Sequence, residues 1–326
     1  MSKDRDWLIP VTIIVSVELA LWAVAYLAGD AARPMVVTYG VVALSVFTVA
    51  LGLRTLLFLY RCRPENPFRS VAQLFRSNLG RIVAALAGAE ILALGSAAFG
   101  SLKAGIPLIT PFWFDVPISK AEAPLFDQHL LGGATSWSVP FFDHLYGTFV
   151  LTHIFAVLVL LASAPSPLKT RALVSLALAW LIIGTFGAYA LSSAGPIFFD
   201  RAYGSQSFAA LDAMLRKNAP LSVMTAEALW SAHESGVPMF GNGISAMPSM
   251  HVALTLWLAL LLHRTRFAPA GWFYYALIWA GSVVLGWHWF SDGLVGSLAM
   301  LAIWALCGVM SPQAGRAARF VESRAV

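Results

Sequence analysis

The fold is decided by the stretch from residue 272 to residue 311, WFYYALIWAGSVVLGWHWFSDGLVGSLAMLAIWALCGVMS. This stretch is almost unbroken apolar sequence, and its 40 residues would form a helix about 60 Å long, twice the hydrocarbon thickness of a bilayer. The helix must therefore break, and the polar cluster around His288 and Asp292 is where it can. The sequence predicts two membrane-crossing helices here, over 272–287 and 293–311.

The rest of the chain has the same apolar character. Of 326 residues, 59% are hydrophobic and only 11% are charged, and the mean hydropathy is +0.75. Soluble domains carry about 25% charged residues, so a water-soluble globular enzyme is excluded. Two cysteines are too few for a disulfide scaffold or a cysteine-based metal site. The composition therefore predicts a polytopic membrane protein.

Eight apolar segments are candidates for membrane-spanning helices. They lie at 8–28, 36–60, 82–100, 146–164, 172–194, 251–263, 272–287 and 293–311. The first has a weakly basic start and no convincing cleavage site after it, so we interpret it as an uncleaved span and not as a signal peptide. The predicted fold class is an all-α, polytopic membrane helix bundle.

The basic residues predict how the bundle is oriented, because Lys and Arg accumulate in cytoplasmic loops. With the N-terminus in the cytoplasm, the inner segments contain Lys3, Arg5, Arg61, Arg63, Arg69, Arg76, Arg81, Lys169, Arg171, Arg264, Arg266, Arg316, Arg319 and Arg324. The net charge of +5 is then a signal of topology, and nucleic acid is not an expected partner. We expect an integral protein of a bacterial inner membrane with both termini in the cytoplasm.

Two outer segments are too long to be simple turns between spans. Residues 101–145 are rich in Pro and aromatic side chains, and residues 195–250 contain apolar residues at helical spacing. Long loops of this kind often cover functional sites. We therefore expect two extracytoplasmic caps, which place the functional site on that face.

Two of the seven histidines return to this same outer face. His251 opens one predicted span and His288 closes the next, and the 37 positions between them accommodate one span in and one span out. Asp292 follows His288 by four residues, so the two share one face of a helix. A carboxylate there can orient the imidazole and leave its other nitrogen for acid–base chemistry. Zinc binding by two His and one Asp is the alternative, although the sequence places no further ligand.

Residues before His251 have the chemistry of a phosphate site. The segment from Gly241 to His251, GNGISAMPSMH, combines a Gly-rich turn with a Pro-Ser helix start. Backbone N–H groups and the dipole at a helix N-terminus attract anions. The candidate substrate-binding residues near the histidines are Ser249, Asn242, Gly243 and Trp287. A plain capped helix start has the same appearance.

These residues resemble the motifs of the type-2 phosphatidic acid phosphatase superfamily. Pro248-Ser249-Met250-His251 is similar to its Pro-Ser-Gly-His motif. His288 and Asp292 match the second half of its Ser-Arg-x5-His-x3-Asp motif. The resemblance implies that His251 is a nucleophile that forms phosphohistidine, that His288 is the acid and base, and that Asp292 orients His288. It implies no metal and no other cofactor.

The resemblance also implies a domain organisation, because that superfamily has a six-helix core. Residues 1–81 are then two additional N-terminal helices with a basic cytoplasmic loop. Residues 82–311 are the catalytic core with the caps at 101–145 and 195–250, and residues 312–326 are a cytoplasmic tail.

Basic residues of the superfamily motifs are not matched. Neither Arg-Pro pair of the chain is preceded by Lys as in the first motif, Lys-x6-Arg-Pro, and Ser282 stands at the Arg of the third. This pattern is more similar to the inositol phosphorylceramide synthase and sphingomyelin synthase branch. A phosphodiester has one negative charge and needs less cationic compensation than a monoester. Arg201 is the candidate replacement clamp, with an ion pair to Asp200 or an interfacial anchor as its alternative.

The leading hypothesis is a membrane phosphotransferase. It would move a phospho-head group, such as inositol phosphate, from a phospholipid donor to a lipid or other hydroxyl. A lipid phosphate or polyprenyl diphosphate phosphatase shares the same catalytic residues and uses water as the acceptor. A transporter or non-catalytic scaffold that depends on the intramembrane Glu18 and Glu90 is the third possibility. The expected partners are the two lipids and the bilayer, and the sequence leaves the oligomeric state open.

Overall fold

The computed structural model describes residues 4–31, 33, 35–122, 124, 138–237, 239, 241 and 243–309. Within these ranges the regular structure is helical, with no β-strand. The predicted all-α fold class is confirmed. The predicted tail at 312–326, residue Asn242 and the segment 125–137 of the first cap lie outside the described residues.

The helices are numbered here in chain order over the described residues. They are α1 (Arg5–Ala28), α2 (Val36–Cys62), α3 (Pro67–Ile109), α4 (Asp115–Glu122), α5 (Ser138–Gly147), α6 (Phe149–Ala162), α7 (Pro167–Ala190), α8 (Pro196–Tyr203), α9 (Ala209–Asn218), α10 (Pro220–Ser235), α11 (Met250–Leu262), α12 (Ala268–Val284) and α13 (Phe290–Val309).

Most of the predicted spans coincide with these helices. In the described part of the chain, six are long and apolar enough to cross a membrane: α1, α2, α3, the pair α5 and α6, α7, and α13. The apolar helix α11 is shorter and packs closely against α12. The protein is therefore an integral membrane protein.

Helix α3 differs from the predicted span at 82–100. It begins at Pro67, where the Asn66 side chain accepts a hydrogen bond of 3.0 Å from the Arg69 N–H, and it continues for 43 residues. Proline in the first turn and an Asn cap are strong helix starts, so the predicted basic loop before residue 82 is helical. At about 65 Å the helix exceeds the bilayer thickness. The predicted boundary between residues 81 and 82 therefore lies inside one continuous helix.

The apolar core of the bundle is shared by the N-terminal helix and the predicted catalytic core. Trp7 of α1 packs in one cluster with Leu173 of α7, Trp257 of α11 and Met300 of α13. Trp7 fits there because α3 has Gly88 beside it, where a Cβ would lie 2.5 Å from the Trp7 ring. Helix α1 is thus built into the core of the bundle.

The short helices α4, α8, α9 and α10 gather at the end of the bundle where α11 and α13 begin, which we call the cap end. A second apolar cluster joins them to the bundle through Ile118, Phe199, Leu211, Ile278 and Trp289. The first cap begins later than predicted, because residues up to Ile109 belong to α3. This arrangement covers the N-termini of α11 and α13 with apolar side chains.

Candidate active site

The structure brings the two predicted catalytic histidines together at the cap end. Their ring centroids are 5.8 Å apart, and the ring planes make an angle of 56°. His251 lies in the first turn of α11, and His288 lies in the turn between α12 and α13. Two separate spans therefore supply one compact pair of imidazoles.

His288 is held by a backbone carbonyl and a carboxylate. Its Nδ1 lies 2.8 Å from the carbonyl oxygen of Ala246 and 3.4 Å from Oδ2 of Asp292. A carbonyl oxygen only accepts, so Nδ1 carries the proton and Nε2 of the neutral ring has a free lone pair. Burial is the main cause that lowers the pKa of His288. The sequence predicted Asp292 as the orienting partner, and the structure adds Ala246 as the closer one.

Asp292 is fully buried and links the two catalytic segments. Its Oδ2 accepts a hydrogen bond of 2.9 Å from the Trp289 N–H, and its backbone carbonyl accepts one of 3.0 Å from the Ser249 N–H. Gly296, one turn further along α13, permits this approach, because a Cβ there would lie 2.6 Å from the Ser249 carbonyl oxygen. The start of α13 therefore sets the position of the start of α11.

Ser249 serves as the N-cap of α11. Its buried Oγ accepts a hydrogen bond of 3.3 Å from the Val252 N–H. The N–H groups of Met250 and His251 precede the first i→i−4 hydrogen bond, which Ala253 makes to Ser249. Such N–H groups suit an anion. The structure shows the cap, and the substrate-binding role of Ser249 stays a prediction.

Aromatic side chains enclose the His251 ring. Tyr146 stacks on it with a centroid distance of 4.7 Å, and Phe149 lies at 4.4 Å. Trp287, a predicted substrate-binding residue, is parallel to Tyr146 at 6.4 Å, and its Nε1 donates to Ser222 Oγ at 3.3 Å. Aromatic side chains therefore line the ring of the nucleophile candidate, which is partly buried.

Lys103 supplies a positive charge to this apolar site. It lies near the cap end of α3, close enough for its charge to interact with both His251 and His288. Among the described residues it has no hydrogen-bond or ion-pair partner. Gly243 lies directly against it at a φ of +97°, where a Cβ would lie 2.8 Å from Lys103 Cγ.

Arg201, the predicted phosphate clamp, is engaged elsewhere. Its guanidinium binds both carboxylate oxygens of Glu227, at 3.0 and 2.5 Å, and lies over the Trp230 ring at 5.9 Å. Arg216 shares the same carboxylate at 3.0 Å. The expected alternative, an ion pair with Asp200, is not formed, because Asp200 accepts hydrogen bonds from Ser205 and the Phe208 N–H instead. The structure thus places Arg201 in a network that ties α8, α9 and α10 together.

Asp115 is a buried carboxylate that attaches the first cap to the site. It accepts hydrogen bonds from the Ser193 hydroxyl at 2.6 Å, the Gly195 N–H at 3.0 Å and Trp289 Nε1 at 2.8 Å. Burial and the Asp115 charge also raise the pKa of the neighbouring Tyr203 phenol. Because Trp289 follows His288 directly, Asp115 positions the segment that carries the second histidine.

Two further carboxylates cap helices at this end. Asp143 accepts the Leu221 and Ser222 N–H groups at 2.9 and 2.8 Å, at the start of α10. Glu122 accepts the Phe290 and Ser291 N–H groups at 2.6 and 3.0 Å, at the start of α13. These contacts could not be predicted from the sequence, because the partners are distant in the chain.

The intramembrane carboxylates of the transporter hypothesis lie in the N-terminal part of the bundle. Glu18 accepts a hydrogen bond of 2.5 Å from Thr185 in the π-helical segment Trp180–Gly187 of α7. Glu90 faces α2, where a Cβ on Gly40 would lie 3.3 Å from its carboxylate. Among the described residues, no group of three or more His, Cys, Asp or Glu side chains is arranged to hold a metal ion.

A family model for the PAP2 superfamily matches residues 126–306, more than half of the chain. The chain belongs to the PAP2 superfamily. Membership in PAP2 indicates phosphatase or phosphotransferase activity on lipids. No curated protein and no solved structure gives a match. The predicted superfamily is therefore confirmed, and the similarity to the inositol phosphorylceramide synthase branch stays a prediction.

The first PAP2 motif is partly present, contrary to the interpretation from the Arg-Pro pairs. Lys103 is followed after six residues by Thr110-Pro111, so the Lys is kept and Thr replaces Arg. The position of Lys103 beside the two histidines identifies this match. The spacing from Lys103 to Pro111 could also have indicated it in the sequence. The interpretation that the site lacks a Lys was wrong, whereas the Arg positions of both motifs are indeed occupied by Thr110 and Ser282.

Proposed function

We propose that this PAP2 protein transfers a phospho-head group, such as inositol phosphate, from a phospholipid to the hydroxyl of a second lipid. The observation that carries the proposal is the pair of adjacent imidazoles, His251 and His288, and beside them the cation Lys103, which has no partner among the described residues. This arrangement has the parts of a two-step displacement: a nucleophile, an acid–base group and a positive charge for the phosphate.

In the first step His251 attacks the phosphorus of the donor. The step starts from the form in which His288 has taken up a second proton, on Nε2. A phosphorus–nitrogen bond forms, the bond from phosphorus to the diacylglycerol oxygen breaks, and His288 gives that oxygen its Nε2 proton. The product is phosphohistidine that carries the head group, with diacylglycerol as the leaving group. Asp292 and the Ala246 carbonyl hold the ring of His288 through its Nδ1, so the proton moves at Nε2.

In the second step the acceptor hydroxyl replaces the histidine. His288 takes the hydroxyl proton, the oxygen attacks phosphorus, and the phosphorus–nitrogen bond breaks to regenerate His251. The same group acts as acid and then as base, as microscopic reversibility requires. No proton or electron pair is left over, so the cycle needs no further reactant.

The charges near the histidines favour a phosphodiester donor. A phosphodiester has one negative charge, whereas a phosphomonoester approaches two at neutral pH. Lys103 provides one positive charge, and Arg201 and Arg216 of the cap helices are paired with Glu227 and Asp212. The buried Asp292 would repel a second negative charge. A diester therefore fits this site better than a monoester.

The apolar walls favour a lipid acceptor over water. Tyr146, Phe149 and Trp287 surround the imidazoles, and the cap helices cover the N-termini of α11 and α13. Exclusion of water from such a site suppresses hydrolysis of a reactive intermediate. Transfer to a hydroxyl that enters from the bilayer is then the expected outcome for the phosphohistidine.

Incubation with head-group-labelled lipids tests this function. Purified protein in mixed micelles receives labelled phosphatidylinositol, phosphatidate or a polyprenyl diphosphate, with and without ceramide or diacylglycerol. We expect the label of phosphatidylinositol to move to the added lipid. Release of inorganic phosphate from the monoester or the diphosphate, without any transfer from the diester, would instead establish a phosphatase.

Two histidine variants make the assay specific. His251→Ala should lower the transfer rate by roughly 10³-fold or more, because the nucleophile is removed. His263→Ala is the matched control, since His263 lies at the opposite end of α11 and contacts Trp272. Full activity of the His251→Ala protein would refute the phosphohistidine route and favour the transporter hypothesis.

The proposal places the site on the extracytoplasmic face, with both termini in the cytoplasm. The end of the bundle opposite the caps contains Arg54, Lys169 and Arg171, as the positive-inside rule requires. Cys62 is exposed there, at the end of α2. A membrane-impermeant maleimide should label Cys62 only after cells are permeabilised. Labelling of intact cells would reverse the assigned orientation.

A further inference from the structure

Tyr146 is in direct contact with the proposed nucleophile, and no role has been assigned to it. Its ring stacks on His251 at 4.7 Å with an angle of 26°, and it is parallel to Trp287. The side chain is nine-tenths buried, among apolar residues that include Val139 and Met247. The position on α5 is fixed one turn earlier by Asp143, which binds the start of α10. The ring therefore cannot move away from His251 without disturbing the caps.

The Tyr146 hydroxyl is buried and has no hydrogen-bond partner among the described residues. The hydroxyls of two other partly buried tyrosines are hydrogen-bonded. Tyr189 donates to the Leu102 carbonyl at 2.7 Å, and the Tyr275 hydroxyl lies 2.8 Å from the Ser297 hydroxyl. Buried hydroxyls are almost always hydrogen-bonded, because an unpaired one loses its hydrogen bonds to water and gains none in the protein. A phenylalanine would fill the same space without this cost. The hydroxyl is thus the part of Tyr146 that packing does not explain.

Two other polar groups without a partner among the described residues lie near the same imidazoles. Oδ1 of Asp292 is buried without a hydrogen-bond partner among the described residues, and the Asp292 charge interacts with Tyr146. Lys103 also lacks a partner there, and its charge interacts with His251. A donor, an acceptor and a cation that the described part of the protein leaves unsatisfied all surround the same pair of imidazoles. The hydroxyl donor and the Lys103 cation both suit the oxygens of a phospho group.

We infer that the Tyr146 hydroxyl donates a hydrogen bond to a non-bridging oxygen of the phospho group while that group is attached to His251. The inference rests on the proposed function and adds a substrate contact to it. The phenol stays protonated throughout, so it stabilises charge and transfers no proton. In this proposal the Tyr146 ring, stacked on the imidazole at 4.7 Å, holds the hydroxyl within reach of the oxygens of a phosphorus bonded to that imidazole.

Such a contact should act mainly on the chemical step. Negative charge on the non-bridging oxygens changes as the phosphoryl group passes between nucleophile and leaving group, and a fixed donor in a water-poor site stabilises the state it is aimed at. Loss of the hydroxyl should therefore lower kcat more than it raises KM. A purely structural tyrosine would show the opposite pattern, with lower stability and an unchanged kcat.

The test is the Tyr146→Phe variant, which removes only the hydroxyl and keeps the stacked ring. We expect kcat to fall about 100-fold, with a change in KM below about threefold, on whichever lipid of the labelled panel wild-type protein turns over. The Tm should be equal to or higher than that of wild type, because an unpaired buried hydroxyl is removed. Stabilisation by inorganic phosphate, measured as the shift in Tm, should be smaller in the variant.

Tyr275→Phe is the matched control, because its hydroxyl is paired with Ser297 away from the histidines. It should lower the Tm slightly and leave kcat unchanged. Wild-type kcat in Tyr146→Phe, with His251→Ala inactive, overturns this inference and leaves the proposed function standing. If Tyr146→Phe lowers the Tm and the activity in parallel, the hydroxyl contributes to folding, and this result also overturns the inference. Full activity of His251→Ala removes the proposed function itself.

Discussion

Charged side chains stabilise helix termini at both ends of the bundle. Cations bind helix C-termini at one end, and carboxylates bind helix N-termini at the other. At the end opposite the caps, which we call the basic end, Arg54, Arg81 and Lys169 converge on the last carbonyl groups of α6. Lys169 Nζ lies 3.0 Å from the carbonyl oxygen of Leu161, and Arg54 lies 3.2 Å from that of Ala162. These carbonyls have no partner within the helix and carry partial negative charge, so cations stabilise them.

At the cap end, carboxylates bind helix N-termini instead. Asp143 holds the start of α10, Glu122 the start of α13 and Asp200 the Phe208 N–H at the start of α9. Asp115 binds the N–H groups just before α8. Each carboxylate comes from a different part of the chain than the helix it caps, so these contacts fasten the caps to one another and to the site.

The difference shows which charges are available for chemistry. Charges at helix termini satisfy backbone groups, and those on both sides of the bundle are accounted for in this way. Lys103 is an exception, since it lies at the cap end and binds neither a helix terminus nor a carboxylate among the described residues. In a membrane protein with few charges, a charged group that stabilises no backbone and forms no ion pair is a strong indication of a ligand site.

The largest expected effect is from Asp115→Ala at the cap end. Several buried donors lose their acceptor at once, so the free energy of unfolding in detergent should fall by about 3–5 kcal/mol. Transfer activity should also be lost, because Trp289 no longer fixes the segment with His288. Asp212→Ala is the control, since Asp212 is exposed and forms an ion pair with Arg216, and it should change stability by less than about 0.5 kcal/mol. A stable, active Asp115→Ala protein would contradict the anchoring role of Asp115.

The next largest effects distinguish a lysine at the cap end from a lysine at the basic end. Lys103→Met at the cap end should lower kcat/KM by about 10²–10³-fold, as for loss of one charge-stabilising group, with equal or higher Tm because an unpaired cation is removed. Lys169→Met at the basic end should lower the free energy of unfolding by about 1–3 kcal/mol, because Asp4 and two carbonyls lose their donor, with kcat/KM unchanged. Equal effects of both variants on activity would show that the ends do not differ in this way.

Much of the fold follows from the sequence because apolar segments of about 20 residues and sparse charge constrain a membrane protein strongly. The break between α12 and α13 could be predicted from bilayer thickness, and the approach of His251 to His288 from counting spans. The start of α3 at Pro67 is marked only by the Asn66-Pro67 pair, because the Arg-rich extension that follows does not register as an apolar run.

The site was less predictable where its residues have no motif of their own. Arg201 was favoured because it is basic and near a span, yet its partner Glu227 comes from another helix, and only the tertiary structure shows the pair. Asp115 and Tyr146 are single residues whose partners lie far away in sequence. Lys103 could have been found from its spacing to Pro111. Thr110 stands at the Arg position of the motif, so no Arg-Pro pair marks this Lys.

The smallest expected effect concerns the Arg201, Glu227 and Arg216 network, the place where cations at the cap end are engaged in ion pairs. Hydrogen bonds from Arg201 are the main cause that lowers the pKa of Glu227. A group whose pKa is lower in the folded state stabilises the fold above its unfolded pKa, and this stability is lost as pH falls through the folded value. The stability difference between wild type and Glu227→Gln should therefore be constant near neutral pH and shrink below about pH 4.5.

Because these side chains are largely exposed, the difference should be at most about 1 kcal/mol and should decrease in high salt. Denaturation of both proteins across this pH range measures it, with Asp212→Asn as a control for the neighbouring pair. A difference that grows on acidification would mean that Glu227 is held in its protonated form, with Arg201 freed from it. Arg201 would then be a free cation at the cap end, and the assignment of Lys103 as the lone cation beside the histidines would have to be retested with the double variant.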